Sequence, residues 1–461
     1  MIEVGLPFSG EVVSMEGTVP LRAVGACIES SRYPMLLDSG PPTVQSADWD
    51  YLVFDPVEVI DDDDGNAFER LDQALERHFP DRCSEDGTTD PALPPFRGGA
   101  VGWLGYDLGR QIEQLPVRAQ QDVEMPDLLL GVYPCVLAHH RSTGRRVVVG
   151  QGEPALVNSF VNEVRRAMSV AQAIPEHHPP AKKMSSTFTR SSFMEAVEKV
   201  REHILDGDIY QVNLAQRFEF EGEWDPVVLH AALRRRFPAP YGAVMRTPDL
   251  SIISTSPELF LRRRGEDLLS CPIKGTRPRG ETREEDLRLQ AELESSPKEM
   301  AELAMIVDLV RNDLGKTATV GSVKVQQPFA TERWSTVFHR VGSVQARYAP
   351  ASGNARLLKG MFPPASVTGT PKIRAQEIIE ELEPVRRHLY TGALGWFGAN
   401  GDMELSVAIR VATCVGHRLL VPVGGGITLG SEPDAEYEET LHKARPFFEV
   451  LGLGPQEEGA P

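Results

Sequence analysis

Cysteine is scarce in this chain of 461 residues, which carries only five, and no two of them form a Cys-x-x-Cys pair. The odd number and the wide spacing predict neither a disulfide framework nor a zinc site. Reduced cysteines of this kind are typical of cytosolic proteins. The N-terminus lacks the basic and apolar segments of a signal peptide, and no apolar run approaches the roughly 18 residues that would span a membrane. We therefore expect a cytoplasmic protein with no membrane segment.

An excess of positive charge is also lacking, because 48 lysines and arginines face 66 aspartates and glutamates, for a net charge of −18. An acidic protein repels polyanions, so binding to nucleic acid is not expected. A small anionic substrate is not excluded, since a few local cations can overcome the overall field. The hydrophobic fraction of 41% is enough for a large core, and it suits two or three domains or one large unit.

Regular repeats are missing as well. The chain has no internal repeat, and its predicted strands and helices alternate without a regular βαβ unit. The run Gly424–Gly426 does not continue into a dinucleotide-binding G-x-G-x-x-G motif, because Leu429 occupies the place of the third glycine. The interleaved elements predict an α+β fold of sheets flanked by helices, not a Rossmann unit.

The apolar pattern predicts several helices, and one stretch has the composition of a linker. Helices are predicted over 193–205, over about 281–313 as one long charged helix, and over about 434–450. The linker candidate, 172–187, is rich in Pro, Lys and Ser. It divides the chain into an N-terminal region, 1–175, and a second region, 186–455.

The predicted C-terminal helix carries the first candidate site. Glu436, Glu439 and Lys443 are spaced i, i+3 and i+7, so they share one face of that helix. The preceding Gly424–Gly426 allows backbone N–H groups to approach a ligand without interference from a Cβ. The face could bind a cation and an acidic substrate side by side. The alternative is a solvent-exposed ion pair between Glu439 and Lys443.

The predicted central helix carries a second pair of carboxylates. Glu299 and Glu302 share one face, beside an apolar stripe, and a carboxylate there is costly to bury unless it is paired or metal-bound. Two helices that each offer two carboxylates could form an oxygen-rich Mg²⁺ site. Ordinary glutamates at the boundary of the core are the alternative.

A third candidate is Lys274, which stands in a turn between Ile273 and Gly275. A lysine in partly apolar surroundings, near other cations, loses its proton more easily and can act as a nucleophile. The alternative is an ordinary surface lysine.

Read together, these segments resemble the chorismate-utilising enzyme family, which includes anthranilate synthase component I and aminodeoxychorismate synthase component I. The matching stretches are GDIYQVNLAQRF (207–218), SPELFL (256–261), PIKGTRPRG (272–280), MIVDLVRNDLGK (305–316), SVTGTPKIRAQEIIEELEP (366–384), YTGALGWFG (390–398), AIRVATC (408–414) and GGGITLGSEPDAEYEETLHKAR (424–445), together with His339. The resemblance implies two large, mostly antiparallel β-sheets packed as a sandwich and flanked by helices, as in anthranilate synthase component I.

Two positions separate the members of the family. Isochorismate and salicylate synthases carry, at the position of Gln211, a lysine that activates water, and glutamine cannot act as that base. Anthranilate synthases carry an alanine at the position of Lys274. The combination seen here resembles aminodeoxychorismate synthase component I, which makes 4-amino-4-deoxychorismate from chorismate and ammonia for p-aminobenzoate and folate. The alternatives are anthranilate synthase component I, isochorismate synthase and an inactive ligand-binding relative.

The resemblance implies roles for individual residues. Lys274 attacks C2 of chorismate, Glu258 is the acid for the departing C4 hydroxyl, and His339 is an active-site polar or acid–base residue. Residues expected to bind Mg²⁺ are Glu302 and Glu439, with Glu299 and Glu436 nearby. Residues expected to hold the substrate are Ser366, Thr368, Tyr390, Arg410, Gly425, Gly426 and Lys443.

The source of ammonia and a possible regulatory pocket complete the expectations. No cysteine stands in the G-x-C-x-G elbow that glutamine amidotransferases use, so the resemblance implies a separate glutaminase subunit as partner. Leu37 and Ser39, with Pro240 and Tyr241, resemble the tryptophan pocket of some relatives. That pocket could be regulatory, structural or empty.

Overall fold

The computed structural model describes residues 11–16, 20–26, 31–38, 40, 48–61, 65–80, 93–176, 178–348 and 353–453. The strands are β1 Glu11–Ser14, β2 Met35–Leu37, β3 Trp49–Val53, β4 Glu58–Asp61, β5 Gly99–Leu104, β6 Leu128–Tyr133, β7 Cys135–His140, β8 Arg146–Gly150, β9 Lys183–Ser186, β10 Gln211–Glu221, β11 Tyr241–Arg246, β12 Leu250–Ser256, β13 Leu259–Arg264, β14 Asp267–Cys271, β15 Ile273–Pro278, β16 Lys324–Arg333, β17 Val337–Arg347, β18 Gly369–Thr370, β19 Ala393–Gly398, β20 Met403–Val407, β21 Val411–Val415 and β22 Arg418–Ile427. The α-helices are α1 Leu21–Ala26, α2 Ala67–His78, α3 Pro154–Val170, α4 Arg190–Leu205, α5 Pro226–Arg236, α6 Arg283–Ser295, α7 Pro297–Gly315, α8 Gly353–Met361, α9 Lys372–Leu382 and α10 Pro433–Val450.

Within these residues the strands form two large sheets, which confirms the expected fold class. The first sheet has twelve strands in the order β1-β8-β7-β3-β2-β11-β12-β21-β22-β10-β18, with β9 also paired to β10. The second has ten strands in the order β15-β17-β14-β13-β20-β19-β5-β6-β4, with β16 also paired to β17. The longest pairing that concerns the site is antiparallel and runs from Val212↔Ile427 to Glu221↔Arg418, between β10 and β22.

The two sheets pack face to face around an apolar core. Tyr51 and Met245 of the first sheet share a buried cluster with Trp103 and Trp396 of the second, and the Tyr51 and Trp396 ring centroids are 6.2 Å apart. Helices cover the outer faces. α2, α7 and α8 pack on the second sheet, whereas α3, α5 and α10 pack on the first. This is a sandwich flanked by helices.

One predicted helix is wrong in its extent. The long charged helix over about 281–313 is two helices, α6 and α7, which meet at Ser296. Ser296 is the N-cap of α7 and accepts a hydrogen bond from the Glu299 amide at 3.4 Å, and Pro297 occupies the first helical position. A proline there cannot continue the preceding helix but suits the start of a new one.

The predicted linker, 172–187, begins just after α3 but includes β9, Lys183–Ser186, which pairs with β10, so its second part belongs to the first sheet. Strands from both sides of it nevertheless share both sheets, because β2 pairs with β11 and β5 pairs with β19. The division into regions 1–175 and 186–455 stays a prediction. A search of the described residues for a helix that is long and apolar enough to cross a membrane finds none.

The first turns of α7 and α10 bring carboxylates to one end of the molecule. Glu299 lies in the first turn of α7, and Glu436 lies in the first turn of α10, which begins with Pro433 at the first helical position. The positive end of the helix dipole stabilises a carboxylate in the first turn. Both helices therefore tolerate acidic side chains at the ends that approach β15 and β22.

A buried ion pair fixes the chain that leads to β19. Arg387 donates to both carboxylate oxygens of Glu383, at 2.9 and 2.6 Å. It also donates to the backbone oxygens of Asn213 at 2.6 Å and Val367 at 3.1 Å. Burial raises the pKa of the Glu383 carboxyl, although Arg387 acts in the opposite direction. The pair ties β10 to the segments that carry Ser366 and Tyr390.

We expect Glu383→Gln to lower the free energy of unfolding by about 3–5 kcal/mol, because it leaves the buried Arg387 charge without its counterion. Denaturant unfolding of the purified protein measures this. Arg311→Ala is the matched control, because Arg311 pairs with Asp308 on the surface, and it should cost less than about 0.5 kcal/mol. Equal losses for the two variants would contradict the assignment.

Candidate active site

The site forms where β15, an edge strand of the second sheet, meets the β10–β22 pair inside the first sheet. Lys274 belongs to β15 of the second sheet, not to the turn predicted from the sequence, while Gln211 and Gly426 belong to β10 and β22 of the first. A Cβ atom built on Gly426 would lie 3.2 Å from Lys274 Nζ and 2.4 Å from Gln211 Nε2. The side chains of Lys274 and Gln211 therefore converge on one glycine, and the absence of a side chain on Gly426 leaves room for both.

Electrostatics around Lys274 favour a reactive amine. Burial, helped by the charge of Lys443, lowers the pKa of the Lys274 ammonium, while Glu302, Glu258 and Glu439 act in the opposite direction. Burial disfavours the charged form of a lysine because it removes the solvating water. A lowered pKa makes the neutral form of the amine, which is the nucleophilic form, easier to reach.

Glu258 is buried between β12 and β13 and has the character of an acid. Burial raises the pKa of its carboxyl to about 7, and hydrogen bonds from Ser366 and the Ile273 amide, with the charge of Lys274, keep it from rising further. A carboxyl with a pKa near neutrality is partly protonated at neutral pH. It can therefore give a proton to a leaving group.

His339 lies in β17 opposite Thr276 of β15. Its Nδ1 is 2.9 Å from the Thr276 hydroxyl, and the ring is 2% exposed. Burial and the charge of Arg410 lower the pKa of the His339 imidazole to about 3. The ring is consequently neutral at physiological pH, so it can hydrogen-bond a substrate but does not carry a charge there.

The carboxylates of α7 lie beside β15, the strand that carries Lys274. Glu299 pairs with Arg277 at 3.1 Å, and its Oε2 lies 2.7 Å from the position of a Cβ on Gly275. The buried Oε1 of Glu302 has no hydrogen-bond partner among the described residues, and its nearest cation is Lys298 at 3.9 Å. Burial raises the pKa of Glu302. An unsatisfied buried carboxylate oxygen is costly unless a ligand binds it.

The carboxylates of α10 lie against the glycine run. A Cβ on Gly425 would be 3.3 Å from oxygens of both Glu436 and Glu439. Glu436 is buried, its Oε2 has no hydrogen-bond partner among the described residues, and burial raises its pKa. Lys443 pairs with Glu439 at 2.7 Å and donates to the Gly424 carbonyl at 2.7 Å. The charge of Lys443 lowers the pKa of Glu439.

The four glutamates do not form a closed metal cage. In the part of the chain that the structure describes, one group of three acidic or histidine ligand atoms lies within 4.8 Å, and it comprises Asp107, Asp127 and His388. The Asp107 carboxylate already accepts hydrogen bonds from the His388 amide and from Arg110, so that group is explained by its structural bonds. The glutamates of α7 and α10 do not come together as such a group, and an open site of this kind suits an ion that keeps waters and contacts a substrate.

The remaining residues predicted to hold the substrate differ in how far their side chains are already engaged by other residues of the protein. The Ser366 hydroxyl bonds to Glu258, and the Arg410 guanidinium acts on His339. The Thr368 hydroxyl is fully buried and donates to the Pro364 carbonyl at 2.8 Å, so it serves its own loop. Tyr390 is buried, and burial raises the pKa of its phenol.

The tryptophan pocket predicted from the sequence is only partly described. Leu37 in β2 pairs with Ala243 in β11, and Pro240 and Tyr241 are buried at the start of that strand. Ser39 lies outside the described residues. The pocket therefore stays a prediction.

Sequence reasoning missed one cation of the site. Lys298 lowers the pKa values of three site carboxyls, those of Glu302, Glu436 and Glu439, although other influences determine the net direction for each. Its i, i+4 spacing to Glu302 was the available signal. The chain position alone could not show that Lys298 also faces α10.

The two-sheet architecture and the convergent amine and carboxylates define an enzyme that acts on a small anionic substrate. The chain belongs to the chorismate binding enzymes, whose family model matches residues 33–449. It is 37% identical to aminodeoxychorismate synthase component 1 of Bacillus subtilis (strain 168) over 379 residues, which is 80% of each chain. It is also 38% identical over 373 residues to anthranilate synthase component 1 1 of Haloarcula marismortui, with 77% of this chain and 76% of that one covered.

A solved structure agrees with the fold. Anthranilate synthase component I from Streptococcus pneumoniae TIGR4 superposes with a TM-score of 0.77 at 28% identity, and the match covers 90% of this chain and 94% of that chain. The resemblance inferred from the motifs is therefore confirmed at the level of the family and of the fold.

We expect Gly426→Ala to lower kcat/KM for chorismate at least about tenfold, because a methyl group would displace Gln211 and crowd Lys274, and misplacement by about 1 Å can cost 100-fold. Chorismate consumption measures this. Gly430→Ala is the control, since no atom lies within 4 Å of a Cβ there. If the two variants have the same kinetics, Gly426 does not line the site.

Proposed function

We propose that this chain is the synthase subunit of an aminodeoxychorismate synthase, which converts chorismate and ammonia into 4-amino-4-deoxychorismate. The observation that carries the proposal is the approach of the Lys274 amine to Gly426 beside Gln211. Lys274 and Gln211 are the two positions that, by the resemblance, separate members of the family. The partly buried Lys274 amine supports the proposed role of nucleophile, and Gln211 stands where the resemblance puts a water-activating lysine in isochorismate synthases.

In the first step, the neutral Lys274 amine attacks C2 of chorismate. The ring double bond shifts, and the C4–O bond breaks. The hydroxyl leaves as water with the proton that Glu258 donates, which the pKa of about 7 makes available at neutral pH. A covalent adduct of the lysine avoids direct displacement of hydroxide, which is a poor leaving group.

In the second step, ammonia attacks C4, the double bond shifts back, and the C2–N bond to Lys274 breaks. The Glu258 carboxylate takes the proton from the newly attached ammonium group. Lys274 leaves as a neutral amine and Glu258 is again protonated, so the two residues return to their starting states. The net change is the exchange of hydroxyl for amine, with release of water.

Mg²⁺ fits the oxygen-rich space between α7 and α10. Glu302 and Glu439 would hold it, with Glu299 and Glu436 close by, and the unpartnered buried oxygens of Glu302 and Glu436 support an ion there. When bound, the ion neutralises the ring carboxylate of the substrate. Without it, four carboxylates would repel an anionic ligand.

Cations and backbone amides would orient the carboxylates of chorismate. Arg410 can bind a planar carboxylate with two parallel hydrogen bonds. The Lys443 side chain is 43% exposed, so a substrate carboxylate can reach its ammonium group. Tyr390 and the amides of Gly425 and Gly426 are proposed to complete the binding set. His339, being neutral, is proposed as a hydrogen-bonding partner.

The ammonia is proposed to come from a separate glutaminase subunit in the cytoplasm. Relatives named component 1 belong to synthases of more than one component, which supports a partner of this kind. The product would serve p-aminobenzoate and folate synthesis.

Anthranilate synthase component I is the second candidate, because a relative of that name is 38% identical. A product assay separates the two. Purified protein receives chorismate, Mg²⁺ and ammonium, with or without a lyase that releases p-aminobenzoate from 4-amino-4-deoxychorismate. We expect p-aminobenzoate only when the lyase is present. Fluorescent anthranilate without lyase would support the second candidate, and product formed without ammonium would support an isochorismate synthase.

Lys274→Ala should abolish formation of 4-amino-4-deoxychorismate, since the variant lacks the amine on which the adduct is proposed to form. Mass spectrometry of the wild-type protein, incubated with chorismate and Mg²⁺ but no ammonium, should show a mass increase on the peptide that contains Lys274. Lys298→Ala, which removes another lysine near the carboxylates, should keep the adduct. An unmodified Lys274 in the wild-type protein, with turnover intact, argues against covalent catalysis.

Removal of Mg²⁺ with EDTA should stop turnover, and added Mg²⁺ should restore it. We expect Glu302→Gln to raise the Mg²⁺ concentration for half-maximal activity at least about tenfold, since even hydrogen-bond partners of metal ligands contribute about 10- to 100-fold to affinity. Asp308→Asn on the same helix is the control, because Asp308 is 75% exposed. The metal assignment fails if Glu302→Gln leaves the Mg²⁺ dependence unchanged.

A further inference from the structure

A buried ion pair that the proposed reaction does not use lies near Glu258. Asp313, in the last turn of α7, is 1% exposed. It accepts hydrogen bonds from Lys372 Nζ at 2.5 Å and from Lys316 Nζ at 2.9 Å. Lys372, the first residue of α9, also donates to the carbonyls of Met361 and Pro363, both at 2.9 Å. All three protons of this ammonium group are therefore used.

The Met361 and Pro363 carbonyls, which accept hydrogen bonds from Lys372, lie at the start of the segment that carries Ser366. The segment runs from Met361 at the end of α8 through a short 3₁₀ helix, Ala365–Val367. Its other end is fixed because Arg387 donates to the Val367 carbonyl at 3.1 Å. Ser366 and Glu258 line the same small cavity, and a hydrogen bond from the Ser366 hydroxyl holds the pKa of the Glu258 carboxyl below the value that burial alone would give.

A small cavity is lined by both Asp313 of the ion pair and the acid Glu258. Four polar side chains line it, those of Glu258, Ser270, Asp313 and Ser366, and the remaining walls are mostly apolar. The space is large enough for roughly one water molecule. Because Asp313 and Ser366 are both part of its wall, a movement of the 361–366 segment would change the surroundings of Glu258 directly.

We propose that Lys372 and Asp313 are positioning residues for the acid: they hold the 361–366 segment so that the Ser366 hydroxyl stays on Glu258. Neither residue touches the substrate. The inference rests on the proposed function, in which Glu258 donates a proton in the first step. It assigns a role to two residues of the matching stretches 305–316 and 366–384 that the reaction itself leaves without one.

Other groups also face Glu258 and must be separated from this effect. They are the ammonium groups of Lys274 in β15 and Lys443 in α10, and the thiol of Cys271 in β14. Replacement of Lys372 leaves all three in the chain. The replacement also removes a positive charge from Asp313, which lines the same cavity as Glu258, and the Ser366→Ala background separates that charge effect from movement of the Ser366 segment.

The test follows the pH dependence of adduct formation on Lys274 in a single turnover without ammonium, so that the ionisation of ammonia does not interfere. The rate falls as pH rises through the pKa of Glu258, because the protonated acid is the active form. In Lys372→Met the Ser366 bond weakens and the pKa rises. We expect this alkaline limb of the pH–rate profile to move about 0.5 to 1 pH unit higher, because the Glu258 carboxylate loses a hydrogen bond that stabilises its charged form.

Three variants make the result specific. Ser366→Ala should move the limb in the same direction, and adding Lys372→Met to Ser366→Ala should give no further shift. Lys316→Met removes the other ammonium from Asp313 but does not touch the segment, so its limb should not move. Where Lys372→Met does not fold, Asp313→Asn keeps the side-chain shape, and a smaller shift in the same direction is expected.

The outcomes separate this inference from the proposed function. A lower rate with an unmoved limb would mean that the pair only stabilises the fold, and a limb that moves to lower pH would mean that water entering the cavity dominates; either overturns the positioning role. Absence of any adduct in the wild-type protein overturns the proposed function itself, and the inference with it.

Discussion

The balance between burial and opposite charge at the Lys274 amine determines how the rest of the site must be built. Burial favours the neutral amine, whereas the carboxylates of Glu258, Glu302 and Glu439 favour the ammonium ion. The same amine in turn acts on the carboxyl pKa values of Glu258 and Glu302. A change in any one of these groups alters the protonation of the others, so the site behaves as one coupled system.

The fold holds this system together with rigid elements. The amine comes from an edge strand of one sheet, the glycines come from a central pairing of the other, and the carboxylates come from the N-terminal halves of two helices. Loops contribute Ser366 and Tyr390, and the buried Arg387–Glu383 pair fixes the segments that carry both. Even the loop residues are therefore positioned by buried charges.

Much of the site could be predicted from the sequence, because its residues lie close together in short motifs. The spacing of Glu436, Glu439 and Lys443 on one helical face and the exposed backbone of Gly424–Gly426 are local features, and the structure brings them together. The break between α6 and α7 was missed, since helical periodicity outweighed the local signal of Ser296 and Pro297. Contacts between distant residues could not be inferred from spacing. The bonds of Lys372 to Asp313 and of Arg387 to Asn213 connect positions 59 and 174 residues apart.

The sharing of both sheets by early and late strands has a consequence for how the protein is made. β5 has β19 as one of its neighbours, and their pairing joins Gly99 to Gly398. A ribosome that adds about 5 to 20 residues per second needs roughly 15 to 60 seconds to span that interval. During this time the edge of β5 that later receives β19 lacks its partner, and such edges invite aggregation. The nascent chain therefore exposes this unpaired edge until the last third has been synthesised.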